Sequence, residues 1–127
     1  MGQDKLTLVA EEGASLSSGS LRLYALPYGC IDLYAYDPIN KRAAVGIMVA
    51  TEYRRKGYAL AMLHELRQMA TNNWHLHSLY ADIAAINTAS LALFRKAGYT
   101  ECGHFKEWLE LDSHFIDNIR MQLILRS

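Results

Sequence analysis

The run Ala43 to Ala59, AAVGIMVATEYRRKGYA, constrains the chain more than any other stretch. Ala43 to Ala50 is short and apolar, with Val45, Ile47 and Val49, and reads as a strand buried on both faces. Thr51 to Lys56 is a polar, cationic connection, and Gly57 opens a long amphipathic segment that reads as a helix. A strand therefore feeds a basic turn and then a helix N-terminus. Such a terminus leaves backbone N–H groups unpaired and carries partial positive charge, so it suits an anion. Arg54, Arg55 and Lys56 add three cations at the same place. The stretch has the chemistry of a phosphate cradle.

The 127 residues suffice for one domain with one core, and 51% hydrophobic with 20% charged residues is ordinary for a globular protein. Thirteen basic residues balance thirteen acidic ones, which argues against a broad basic surface for nucleic acid. The cation cluster at 54–56 is local and suits a small anionic ligand. Cys30 and Cys102 match no metal or redox spacing and read as reduced thiols of a cytoplasmic protein. No signal peptide and no apolar run of membrane-spanning length is visible. Leu6 stands where a myristoylation signal starting at Met1-Gly2 needs Ser or Thr.

Taken in order, Lys5 to Ala10 reads as a short strand and Glu11 to Ser20 as a Gly/Ser-rich loop without chemistry. Leu21 to Leu26 is a strand, and Pro27-Tyr28-Gly29 a turn. Cys30 to Tyr36 alternates, with Ile31, Leu33 and Ala35 on one side and Asp32, Tyr34 and Tyr36 on the other, expected to face solvent or merely pack, the alternative being one wall of a substrate cleft. A turn at Asp37-Pro38-Ile39-Asn40 makes 30–50 an antiparallel hairpin. From Gly57 to about Thr71, Ala59, Met62, Leu63, Leu66, Met69 and Ala70 recur at helical spacing, and the methionines read as core filler. Leu76 to Ile83 is the next strand, so a crossover places 43–50 parallel to 76–83. His75 and His77 have no further ligands at metal-binding spacing, and no metal site is expected. Asn87 to Ala97 is a second helix, capped by Asn87 or Thr88 and closed by Gly98, with Leu91, Phe94 and Ala97 on roughly one side. Residues 99–109, with a bulge at Gly103, and 115–125 form a closing antiparallel hairpin. The fold class is thus α/β, a mixed and mostly antiparallel sheet with a central parallel pair, flanked by helices.

This order and two of its motifs resemble the GNAT superfamily of acetyl-CoA-dependent N-acetyltransferases, over roughly the family's C-terminal two-thirds. Arg54-Arg55-Lys56-Gly57-Tyr58-Ala59 is similar to the family's Gln/Arg-x-x-Gly-x-Gly/Ala motif, in the strand–turn–helix context that motif requires. Asn87-x-x-Ser90-x-x-Leu93-Phe94-x-x-x-Gly98-Tyr99 is similar to its fifth-strand and fourth-helix signature. The branch it looks most like holds the polyamine and ribosomal-protein N-terminal acetyltransferases.

The resemblance implies roles. Backbone N–H groups from Arg55 to Ala59 hold the pyrophosphate of coenzyme A, with Gly57 allowing close approach. The parallel strands splay, and Ile47, Met48 and Val49 offer backbone groups to the pantetheine arm and to the thioester carbonyl. Asn87 and Ser90 touch the arm from the other side, Phe94 lies at the thioester, and Lys96 approaches the ribose phosphate. The implied reaction is direct attack by a primary amine, of a small amine or polyamine or of a protein N-terminus, in a ternary complex. Many members carry a Tyr acid where this chain has Phe94; Tyr99, Cys102, Ser90 or solvent are the substitutes within reach of the sequence. The family's first strand and two helices exceed what residues 1–29 hold, so an uncovered sheet face hidden by homo-oligomerisation is expected. The alternative reading is a degenerate, non-catalytic coenzyme A-binding domain.

Overall fold

The computed structural model describes residues 6–126. Seven strands form one sheet in the order β1-β2-β3-β4-β5-β7-β6. They are β1 (Val9–Ala10), β2 (Leu21–Ala25), β3 (Gly29–Asp37), β4 (Arg42–Val49), β5 (Ser78–Ala84), β6 (Thr100–Leu111) and β7 (His114–Ile124). Two helices, α1 (Tyr58–Asn72) and α2 (Thr88–Lys96), lie between β4 and β5 and between β5 and β6. Every neighbouring pair is antiparallel except β4 with β5. The mixed sheet expected from the sequence is the sheet observed. Lys5, the expected start of the first strand, lies outside the described residues.

Register explains the core. Leu21 pairs with Leu33 and Leu33 with Val45, while Ala43 pairs with Leu79 and Leu79 with Leu123. Partners across a ladder share a face, so these apolar side chains form one continuous surface. It is covered by Met62, Leu63, Leu66 and Ala70 of α1 and by Leu91 and Phe94 of α2, all buried. Leu23, Ile31, Leu33, Met62, Leu63, Leu66, Leu79 and Met121 are essentially sealed from solvent. Each such side chain contributes about 1.5–3 kcal/mol by burial. Leu16, in a 3₁₀ turn over Leu16–Ser18, joins the same core. The stretch read as a plain loop therefore supplies a core anchor, which its serine-rich neighbours conceal.

The strand Gly29–Asp37 departs from simple alternation. A bulge lies between Tyr34 and Asp37, where Ala35 takes φ 50°. One extra residue inverts the side-chain phase. Ala35 is thereby exposed, and Tyr36, expected opposite the apolar set, packs partly buried against the core. A bulge between Glu101 and Gly103 falls where Gly103 suggests it, and a second, between Phe105 and Leu109, has no glycine to announce it.

Both helices pack on one face. The other face has no helical cover among the described residues and carries polar and aromatic groups. Arg22 grips Asp32 through two hydrogen bonds of 2.6 and 2.9 Å. Arg120 grips Asp82 through two of 2.9 and 3.0 Å.

Candidate functional site

The sheet parts at the one parallel junction among the described residues. β4 and β5 pair through Arg42↔Ser78, Ala43↔Leu79 and Ala44↔Tyr80, and the pairing stops there. On its other side β4 stays paired with β3 to Gly29↔Val49. Residues 45–49 of β4 thus present one backbone edge with no strand against it. An unpaired row of N–H and C=O groups inside a sheet is a template for an added extended segment.

Beyond Val49 the chain turns through a 3₁₀ turn, Thr51–Tyr53, into the cationic loop and then α1. Arg55 takes φ 62° and Gly57 φ 85°. Left-handed angles at alternate residues, on either side of Lys56, point backbone N–H groups to one side, as in anion-binding nests. Gly57 caps α1 with no side-chain hydrogen bond, and the first turn of α1 holds no acidic residue. Among the described residues, then, neither the cap side chain nor a first-turn carboxylate engages the first N–H groups of α1. A Cβ built on Gly57 meets nothing within 4 Å, so it is the backbone angle that requires glycine, and the space before the loop is open.

The end of β4, the loop, the first turn of α1 and α2 with its cap residue line a cleft of about 760 Å³. It is lined by Ile47, Met48, Val49, Arg54, Arg55, Gly57, Ala59, Asn87, Ser90 and Lys96, and also by Tyr53, Leu60, Ala89 and Leu93. Three cations and no carboxylate line it. Arg54 is steadied by a hydrogen bond from Nε to the Val49 carbonyl at 3.1 Å. Asn87 caps α2, its Oδ1 accepting from the Ser90 N–H at 3.1 Å. The helix-start position of Ala89 and the helical repeat of Leu60 and Leu93 were available signals for those residues, while Tyr53 has none in the sequence. A larger groove of about 830 Å³ beside β1, lined by Leu6, Val9, Leu26 and Tyr28 among others, holds no basic residue.

Three of the residues expected at the cofactor do not line this cleft with their side chains. Lys56 is exposed and off the cleft wall. Tyr58 stacks on Tyr28, with ring centroids 4.0 Å apart and planes 12° apart. Phe94 is buried in the core, edge-on to Tyr99 at 4.9 Å. The helical spacing of Leu91, Phe94 and Ala97 already set Phe94 on the core side, and packing follows that spacing.

The substitutes for the missing acid separate clearly. Tyr99 is buried, its hydroxyl has no hydrogen-bond partner among the described residues, and burial drives its pKa well above the usual phenol value. Cys102 is exposed, with its thiol pKa raised by desolvation. Ser90 lines the cleft.

On the uncovered face, Asn118 Nδ2 also donates to Asp82 Oδ1 at 3.1 Å. The hydrogen bonds from Arg120 hold the Asp82 carboxyl below the usual carboxylate range. Arg120 lies 4.7 Å above the Tyr80 ring. Desolvation, and then the Asp82 charge, raise the Tyr34 phenol pKa. Among the described residues no group of three His, Cys, Asp or Glu could hold a metal ion.

A seven-stranded mixed sheet opened at its parallel pair, with a cation-bearing loop and bare helix N-terminus at the opening, defines an acyl-CoA N-acyltransferase type of protein. Residues 13–100 match the acetyltransferase (GNAT) domain family, and the chain belongs to that family. It is 25% identical over 96 residues to a spermidine N(1)-acetyltransferase of Vibrio cholerae, covering 76% of this chain and 56% of that one. It is 27% identical over 88 residues to an N-alpha-acetyltransferase of Saccharolobus solfataricus, covering 69% of this chain and 49% of the relative. The chain spans about half the length of these curated relatives. Among solved structures, spermidine N-acetyltransferase from Vibrio cholerae in complex with CoA and spermine superposes with a TM-score of 0.81 at 22% identity, over 86% of this chain and 68% of that one.

Proposed function

We propose that this chain is an acetyl-CoA-dependent N-acetyltransferase domain whose acceptor is a primary amine, that of a small amine or polyamine or of a protein N-terminus. The observation that carries the reading is the bare β4 edge at 45–49 ending in a cationic, glycine-capped loop. Acetyl-CoA, when bound, supplies an activated thioester and a stable thiolate leaving group. Main-chain groups of Ile47, Met48 and Val49 would pair with its amide-bearing arm, and an N–H of this stretch would stabilise the oxyanion that develops on the carbonyl. Arg54, Arg55 and Lys96, with the N–H groups from Arg55 to Ala59, would balance the pyrophosphate and ribose phosphate charge. Asn87, the cap of α2, and Ser90 in its first turn would contact the arm from the other side. The ammonium form of the acceptor must lose a proton to bulk water before attack, directly or relayed through cleft water and residues such as Ser90 and Tyr53.

The test is a calorimetric titration of acetyl-CoA, followed by thiol release against spermidine and a short peptide panel. Binding with amine-dependent thiol release is the expected result. Binding without release on any amine supports a degenerate coenzyme A-binding domain, and no binding sinks both readings.

No helix among the described residues is long and apolar enough to cross a membrane. We place the domain in the cytoplasm, acting without nucleic acid or membrane. We further expect it to self-associate as a homodimer or larger homo-oligomer that hides the uncovered sheet face. Sedimentation as a monomer at micromolar concentration would count against that assembly.

A further inference from the structure

Tyr28 belongs to the turn between β2 and β3, far in sequence from the cationic loop, yet it touches both ends of that loop. Its carbonyl accepts a hydrogen bond from the Ala50 N–H at 2.8 Å, where the chain leaves β4. Its ring stacks on Tyr58, the first residue of α1, at 4.0 Å and 12°. Tyr53, inside the loop, sets its ring edge-on to both, at 5.0 and 5.7 Å. The neighbouring residue keeps this turn close to β4: a Cβ on Gly29 would collide with the Met48 carbonyl oxygen.

The loop needs such support. Arg55 at φ 62° is in a region that side chains disfavour, and such a conformation persists only where surroundings over-determine it. Arg54, Arg55 and Lys56 repel one another. The bonds within the loop are few: Tyr53 N–H to Ala50 at 2.8 Å and Arg54 N–H to Thr51 at 3.3 Å. Contacts from a different part of the sheet hold what the loop cannot hold alone.

We propose that Tyr28 is a positioning residue for the cofactor: by stacking on Tyr58 and bonding Ala50 it fixes residues 51–57 in their anion-binding shape without lining the cleft. The inference rests on the acetyl-CoA reading above. Its signature is selectivity for the phosphate end of the ligand. A loop that is competent only part of the time lowers apparent affinity by that fraction. The penalty falls on ligands with a pyrophosphate and spares S-acetylpantetheine, which lacks one and relies on the β4 edge.

The experiment compares wild type, Tyr28→Leu, Tyr28→Phe and Tyr58→Leu. Tyr28→Leu is expected to bind coenzyme A about tenfold more weakly or worse. Its turnover of S-acetylpantetheine should stay within about twofold of wild type. Tyr28→Phe, which keeps the ring, should restore coenzyme A affinity. In the free protein, amide hydrogen exchange at 51–57 should accelerate in Tyr28→Leu and not in Tyr28→Phe. Tyr58→Leu breaks the same stack from the helix side and should likewise weaken coenzyme A binding and speed exchange at 51–57, which keeps the test intact should Tyr28→Leu fail to fold. Unchanged coenzyme A affinity in both leucine variants would overturn the proposal. So would an equal loss toward S-acetylpantetheine, the mark of general damage to the fold. A wild-type protein that binds no coenzyme A at all would instead overturn the functional reading on which the proposal stands.

Discussion

Gly57 carries two demands in one residue, since its φ of 85° both turns the chain into α1 and bares the helix N-terminus. Gly57→Val would force a β-branched residue into that region at a cost of about 1–2 kcal/mol, leaving the fold standing. Coenzyme A binding should fall at least about tenfold, because the N–H groups no longer converge. Calorimetry beside a thermal melt checks both halves, and retained affinity would show that the loop is not the phosphate site. Tyr99 makes the opposite case. Its buried hydroxyl has no partner among the described residues, so Tyr99→Phe should stabilise the protein by about 1 kcal/mol in a denaturant titration. A clear loss of stability would mean that the hydroxyl is satisfied. Phe94 and Tyr36 mark what residues reveal from sequence alone. The repeat of Leu91, Phe94 and Ala97 reads Phe94 into the core correctly, and only the family resemblance moves it toward the cofactor. Tyr36 defeats its alternation because the bulge at Ala35 depends on backbone geometry that an alanine does not advertise.

At the level of elements, strand and helix identities were legible wherever period and punctuation agreed. β7 alternates from Ile119 onward, α1 keeps a helical stripe, and α2 has Asn87 at one end and Gly98, at φ 99°, beyond the other. Asn87→Ala removes the bond to the Ser90 N–H and should cost about 1 kcal/mol, measured as a shift in the melting midpoint. The parting of β4 from β5 was not legible from the residues. Val45, Ile47 and Val49 look the same whether a strand lies beside them or not, and the expectation came from resemblance. Cross-strand ties on the uncovered face can be tested by pH. Asp82 has a lowered pKa, so its pairing with Arg120 contributes stability above the unfolded Asp value of about 3.9 and loses it as pH falls through the folded value. Asp82→Asn should therefore cost about 1 kcal/mol at pH 7, and the gap from wild type should close below about pH 4. A gap that persists in acid would assign the effect to packing instead of charge.

Across the whole molecule the two sheet faces have different chemistries. One is an apolar floor closed by both helices, and the other is a plain of arginine–carboxylate pairs and aromatic rings. Composition does not reveal this division, since balanced charge says nothing about which face holds it. Register reveals it: Leu23, Ile31 and Ile47 line one side while Tyr24, Cys30 and Met48 line the other.

The three-residue ladder between β4 and β5 makes this sheet two half-sheets joined by a short weld. A β1–β4 half and a β5–β7 half meet at Arg42 to Ala44, and beyond that point the seam is open. Mechanical and thermal compliance should concentrate there. In the free protein, amides of the bare 45–49 edge should exchange with solvent faster than those of β7, which is paired on both sides. Saturating coenzyme A should slow that exchange at the seam while leaving β7 unchanged. Read by hydrogen-exchange mass spectrometry, the ligand would then act as the missing stitch between two halves, and equal exchange in the free and bound states would show that it does not.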